Sequence, residues 1–106
     1  MPPTCSVAVN PDAVSVKQNF GSIATVVVSV PGAATSKTVT AVPANANEVA
    51  AATYVNGGYS TSGTVPANGS LSFQVASLRN NSGFTYQIAF RVSGCTEANL
   101  AVTVTK

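Results

Sequence analysis

Along residues 82–95, SGFTYQIAFRVSGC, apolar side chains hold every second position: Phe84, Tyr86, Ile88, Phe90 and Val92. Thr85, Gln87, Ala89, Arg91 and Ser93 stand between them. A period of two predicts a β-strand with one face hidden. The same period recurs along the chain. Residues 4–9 place Cys5, Val7 and Val9 together, Asn10-Pro11 interrupts, and residues 12–17 resume with Val14 and Val16. Residues 21–30 align Ala24, Val26, Val28 and Val30 and stop at Pro31-Gly32, and residues 37–42 form a short strand closed by Pro43. Leu71, Phe73 and Val75 alternate, as do Leu100, Val102 and Val104.

Residues 44–69 are ambiguous. In ANANEVAAATYV the alanines favour helix, whereas Thr53, Tyr54 and Val55 favour strand. NGGYSTSG reads as a turn followed by a polar strand, so one or two short edge strands are expected here. The pattern predicts an all-β fold in which residues 1–106 form one domain. Seven to eight antiparallel strands stack as a two-sheet Greek-key sandwich, because each strand has one apolar face to bury. The strand over 83–93 is the longest and most aromatic and is expected at a sheet centre.

Tyr86 follows Gly83 by three residues, with Leu78 upstream at the end of the preceding strand. This L…G-x-x-Y arrangement resembles the tyrosine corner of immunoglobulin-like and fibronectin type III-like sandwiches. The resemblance implies that residues 71–78, 83–93 and 98–105 are strands E, F and G, with the Tyr86 phenol bonded back to the E–F connection. The chain departs from that pattern at two points. Its connection RNNSG is longer, and Ile88 stands where an immunoglobulin half-cystine would be. The other reading of Tyr86 is an ordinary core aromatic.

Cys5 and Cys95 are the two cysteines, one near each end of the chain. In such a sandwich the first strand and the end of strand F can lie close together. A disulfide there would close a loop of nearly the whole domain, worth up to about 4–5 kcal/mol in the chain-entropy model. The alternative is two separate buried thiols. A metal centre is disfavoured, since two thiols and no His cannot complete a tetrahedral set.

Composition narrows the chemistry. Charged residues make up 8% of the chain, so Ser, Thr and Asn carry its solubility. The net charge of +2 comes from scattered Lys17, Lys37, Arg79, Arg91 and Lys106, without an aromatic platform, which argues against a nucleic-acid partner. Apolar runs are too short to cross a bilayer, the start lacks a secretory core, and no membrane partner is expected. With no His, and with Asp12, Glu48 and Glu97 far apart in sequence, neither nucleophilic triads nor paired carboxylates are available. No enzyme activity and no cofactor are expected. Lys17, Asn99 and Glu48 are an imaginable trio for a self-formed Lys–Asn cross-link. Asn68-Gly69-Ser70 and Asn80-Asn81-Ser82 match the glycosylation sequon.

Without chemistry a sandwich acts through its surface. The low-charge Thr/Ser/Asn/Val/Ala exterior resembles the immunoglobulin-like modules of tailed-phage capsids and tails. That resemblance implies an auxiliary decoration protein on the virion surface, made in the host cytoplasm. Its partner would be the major capsid or another virion protein, with self-association and weak glycan contact as further modes. The alternative is an extracellular bacterial adhesion or glycan-binding module, in which Tyr54 and Tyr59 of TYVNGGYSTSG stack on sugar faces. For these two rings, core or edge packing is the plainer expectation. A third class is a fibre subunit built by edge-strand pairing.

Overall fold

Thr, Val and Ser in alternation cannot form a stable helix face, and β-branched side chains pack well on a pleated sheet. The computed structural model describes residues 5–30, 37–55, 57–65 and 70–106, and among them the regular structure is strand alone. In chain order the strands are β1 (Cys5–Ser6), β2 (Ala8–Asn10), β3 (Ala13–Lys17), β4 (Ala24–Ser29), β5 (Thr38–Pro43) and β6 (Val49–Val55). They continue as β7 (Gly58–Ser60), β8 (Ser62–Thr64), β9 (Ser70–Ser77), β10 (Thr85–Arg91), β11 (Cys95–Thr96) and β12 (Ala98–Thr105). One five-stranded sheet has the order β2-β4-β9-β6-β7, the second β3-β12-β10-β5-β8, and β1-β11 is a two-stranded ribbon.

The two large sheets stack through their alternating apolar positions. Val26, Val28, Phe73, Val75, Val49 and Ala51 project from one, and Val16, Val39, Ile88, Phe90, Leu100, Val102 and Val104 from the other, all buried. Phe73 and Phe90 meet edge to face across the layers at 5.1 Å and 63°. As expected, β10 is the middle strand of its sheet, paired with β12 and β5.

Several expectations need correction. The pairing is not wholly antiparallel: β1 with β11 and β3 with β12 run parallel. The residue 4–9 strand divides at Val7. The Val7 N–H bonds Thr96 O at 2.7 Å, whereas Ala8–Asn10 pair with β4 in another sheet. After Pro11, which has no N–H to offer a ladder, the chain changes sheets again to become β3. The strand expected over 21–30 begins at Ala24, because residues 18–21 form a turn. Within 44–69 the strand alternative holds and the helical turn does not. The expected short edge strands are β7 and β8, and β6 lies inside its sheet between β9 and β7. Its inward Val49, Ala51 and Thr53 are buried, so packing overrides the helical preference of alanine.

Phe84 also departs from its pattern and is 62% exposed. The ladder of β10 begins only at Thr85, so Phe84 precedes the strand. Gly83 makes the turn before it with φ of +92°, a conformation that a Cβ disfavours, and donates its N–H to Val104 O at 2.8 Å. The Pro31-Gly32 turn, Asn56 and the sequon at Asn68 lie outside the described residues.

Candidate contact surface

Alternation along β6 and β9 turns Ala50, Ala52, Gln74 and Ala76 outward, and the register sets Ala50 beside Ala76 and Ala52 beside Gln74. Alanine is depleted in strands. Two adjoining strands that present it outward therefore form a flat, low floor which strand propensity does not explain. Tyr54 and Tyr59 rise on one side of this floor as direct cross-strand partners, their rings edge to face at 5.3 Å and 75°. They are 64% and 61% exposed, so neither packs in the core. Phe20 and Ile23 stand on the other side, each more than half exposed. Together Phe20, Ile23, Ala50, Ala52, Tyr59, Gln74 and Ala76 line a groove of about 250 Å³.

The backbone presents Phe20 in a costly way. Asn19 and Phe20 have φ of +57° and +59°. Asn tolerates this region, but for a bulky Phe it is a true outlier, worth on the order of 1–3 kcal/mol of strain. Surrounding structure enforces it: Asn19 N–H bonds Arg79 O at 2.9 Å and Phe20 N–H bonds Ser77 O at 2.9 Å. Gly21 permits the turn, because a Cβ there would fall 2.7 Å from Lys17 Cβ. Strain that holds an apolar ring in water is a mark of a site with a use. Sequence reasoning passed over Phe20 and Ile23; the available signal was an apolar pair inside the turn QNFGSI.

Beside this surface a polar clasp joins the β9–β10 connection to the start of β6. Asn81 Nδ2 donates to Glu48 O and to Glu48 Oε2, both at 3.0 Å. The buried Ser77 hydroxyl donates to Asn81 Oδ1 at 2.6 Å, with Arg79 O 3.0 Å away. Leu78 N–H also bonds Glu48 O, at 2.8 Å, and Arg79 Nη1 reaches Glu48 Oε1 at 3.2 Å. The Tyr86 phenol points to Glu48 Oε2 at a long 3.5 Å, a side chain outside the β9–β10 connection to which the expected tyrosine-corner bond would run. Burial first, and the neighbouring Glu48 carboxylate second, raise the Tyr86 pKa above its ordinary value. Thus Leu78, Gly83 and Tyr86 gather at one end of the sandwich, but Asn81 and Glu48 close the corner. Sequence reasoning met Asn81 only as the middle residue of the Asn80-Asn81-Ser82 sequon.

Cys5 and Cys95 are register partners in the β1–β11 ribbon. Adjacent strands lie about 4.8 Å apart, within the roughly 4.4–6.8 Å Cα window of a disulfide. The Cys5 side chain lies outside the described residues, and among the described residues no cysteine is free. The cross-link trio is not assembled. Lys17 pairs with Thr105 and Asn99 with Ala89, six residues apart on β12, or about 20 Å of strand. Glu97 is held by Arg91 Nε at 3.1 Å.

No protein-family model and no curated protein sequence matches the chain. Solved structures do share its fold. The crystal structure of domains 4 and 5 of the S-layer protein SbsC superposes with a TM-score of 0.68 at 17% identity, covering 98% of this chain and 54% of that one. A β-glycosidase from Bacteroides vulgatus superposes at 0.65 and 12% identity, covering 98% of this chain and 14% of the enzyme. The chain therefore spans about half of the S-layer fragment and a small part of the glycosidase. At such identities the likeness is one of fold.

Proposed function

We propose that this protein is a non-enzymatic structural module with immunoglobulin-like Greek-key topology, working by surface contact as an auxiliary protein on the outside of a virion. The strand orders support the topology. β2-β4-β9-β6 reads as A-B-E-D, and β12-β10-β5 as G-F-C with β3 as a second segment of A. One observation carries the contact role: Phe20, Ile23, Tyr54 and Tyr59 stand exposed around an alanine floor on one sheet face. An apolar patch bounded by polar surface marks an interaction site. Low overall charge favours broad association with a lattice over steering of a small charged ligand.

A second reading, an extracellular adhesion or glycan-binding module, draws on the outward Tyr54–Tyr59 pair and on the fold shared with an S-layer protein. Cosedimentation of the purified domain with empty capsids of the virus carrying the gene separates the two. Saturable retention on capsids supports the decoration role. Failure to bind capsids, together with a signal on a glycan array, overturns it in favour of the second reading.

A further inference from the structure

We infer that the domain is a redox-set strap for tension. Load applied through the two ends of the chain crosses a Cys5–Cys95 bridge and leaves along β12, so the bridged form does not lengthen and reduction releases the rest of the fold. The inference is independent of which partner the outer sheet face takes.

The direct path is short and already straight. Cys5 and Cys95 are register partners, and among the described residues no cysteine is free. From Cys95 the chain continues through β11 and β12, with Glu97 alone between the two strands. At about 3.3 Å per residue this stretch covers up to about 33 Å by Thr105, close to the reach of a fully extended chain. Cys5 therefore stands at one end of the sandwich and Thr105 towards the other, and the segment that joins them through the bridge has little length left to give.

That segment is also the one held most firmly against a pull. β3 lies parallel to β12, Ala13 to Lys17 beside Ala101 to Thr105. Tension on the start of one parallel strand and on the end of its neighbour slides the two past each other, loading every rung at once. On its other side β12 is paired with β10 from Ala98 to Thr103. At its end the Gln18 N–H bonds Thr105 O at 2.7 Å, and the Thr105 hydroxyl reaches Val16 O at 3.4 Å. Without the bridge, tension enters at β1 and acts on every strand in turn, and residues 6–94 hold about 300 Å of extended chain.

The switch is thiol–disulfide exchange. Reaction with a small disulfide forms one S–S bond between the two cysteines and reduces the small disulfide to two thiols, which take the two protons. A dithiol reverses the step with the same balance.

Optical-tweezers stretching of the full chain, held by peptide tags at its two ends, tests the strap. The reduced chain is first treated with oxidised glutathione, and its mass should fall by two hydrogens. The bridged molecule should then lengthen by less than about 20 Å under load, and dithiothreitol added to it should release about 300 Å. Cys95→Ser should release that length without reductant. If the unbridged sandwich unfolds unloaded, the same length appears at low force, so the readout does not depend on its folding. A bridged molecule that releases more than about 100 Å, or a reduced one that releases no more than the bridged, overturns the load path. A mass unaltered by oxidised glutathione overturns the switch.

Discussion

Asn81 holds Glu48 at both ends, donating one side-chain proton to its backbone carbonyl and one to its carboxylate, across 33 positions of sequence. This pair fixes the corner where β6 begins and the connection into β10 turns. Removing it takes the shorter acceptor from Ser77 and two donors from Glu48, leaving them Arg79 O, the Leu78 N–H and the longer Tyr86 contact. Asn81→Ala should cost about 1–3 kcal/mol in urea unfolding. Arg79→Ala, which deletes only the exposed ion pair to the same carboxylate, should cost less than about 1 kcal/mol. Equal losses for both would mean that the clasp is an ordinary surface ion pair.

Tyr86 sets an alkaline limit on this corner. Its folded pKa is raised, so the folded state holds the phenolic proton more tightly than the unfolded chain does. The associated stability is complete below the unfolded tyrosine pKa of about 10 and is lost as pH rises through the folded value. Thermal melts at rising alkaline pH should fall less steeply for Tyr86→Phe than for the wild type. Parallel slopes would show that Tyr86 ionises without reference to folding.

The N-terminal strand should be stapled. The register of Cys5 beside Cys95 leads us to expect a disulfide. Intact mass should rise by two hydrogens on reduction. Cys95→Ser should lose up to about 4–5 kcal/mol of stability in the chain-entropy limit. A mass unchanged by reductant would rule the bridge out.

Phe20 should be dispensable for folding. Phe20→Gly removes an exposed ring and relieves a positive φ, so the melting temperature should hold or rise, by up to about 1 kcal/mol in free energy. Capsid retention should weaken in the same variant. A stability loss above about 2 kcal/mol would make the ring structural.

Legibility followed periodicity. Leu71, Phe73, Val75, Ile88, Phe90 and Val102 alternate cleanly, and the strands and core they form were readable in advance. β6 was not, because its outward alanines erase the contrast that alternation needs, and only pairing with β9 decides its state. Phe84 misled because it continues the period one residue before the β10 ladder begins, where the side chain is exposed. Tyr54 and Tyr59 were legible as residues of interest, but their exposure depends on the β6–β7 hairpin register. The roles of Phe20 and Asn81 were invisible: the first owes its place to the Asn19 and Phe20 N–H groups bonding Arg79 O and Ser77 O, the second to a partner far along the chain.

Hydroxyl-radical footprinting, comparing the isolated dilute domain with the native assembled form, tests the contact face most directly. Oxidation of Phe20, Tyr54 and Tyr59 should fall sharply on assembly, while Gln87 and Thr103 on the outer face of the other sheet keep their hydrogen-exchange and labelling behaviour. Equal oxidation of the three rings in both states, with protection appearing on the β10–β12 face instead, would contradict the account.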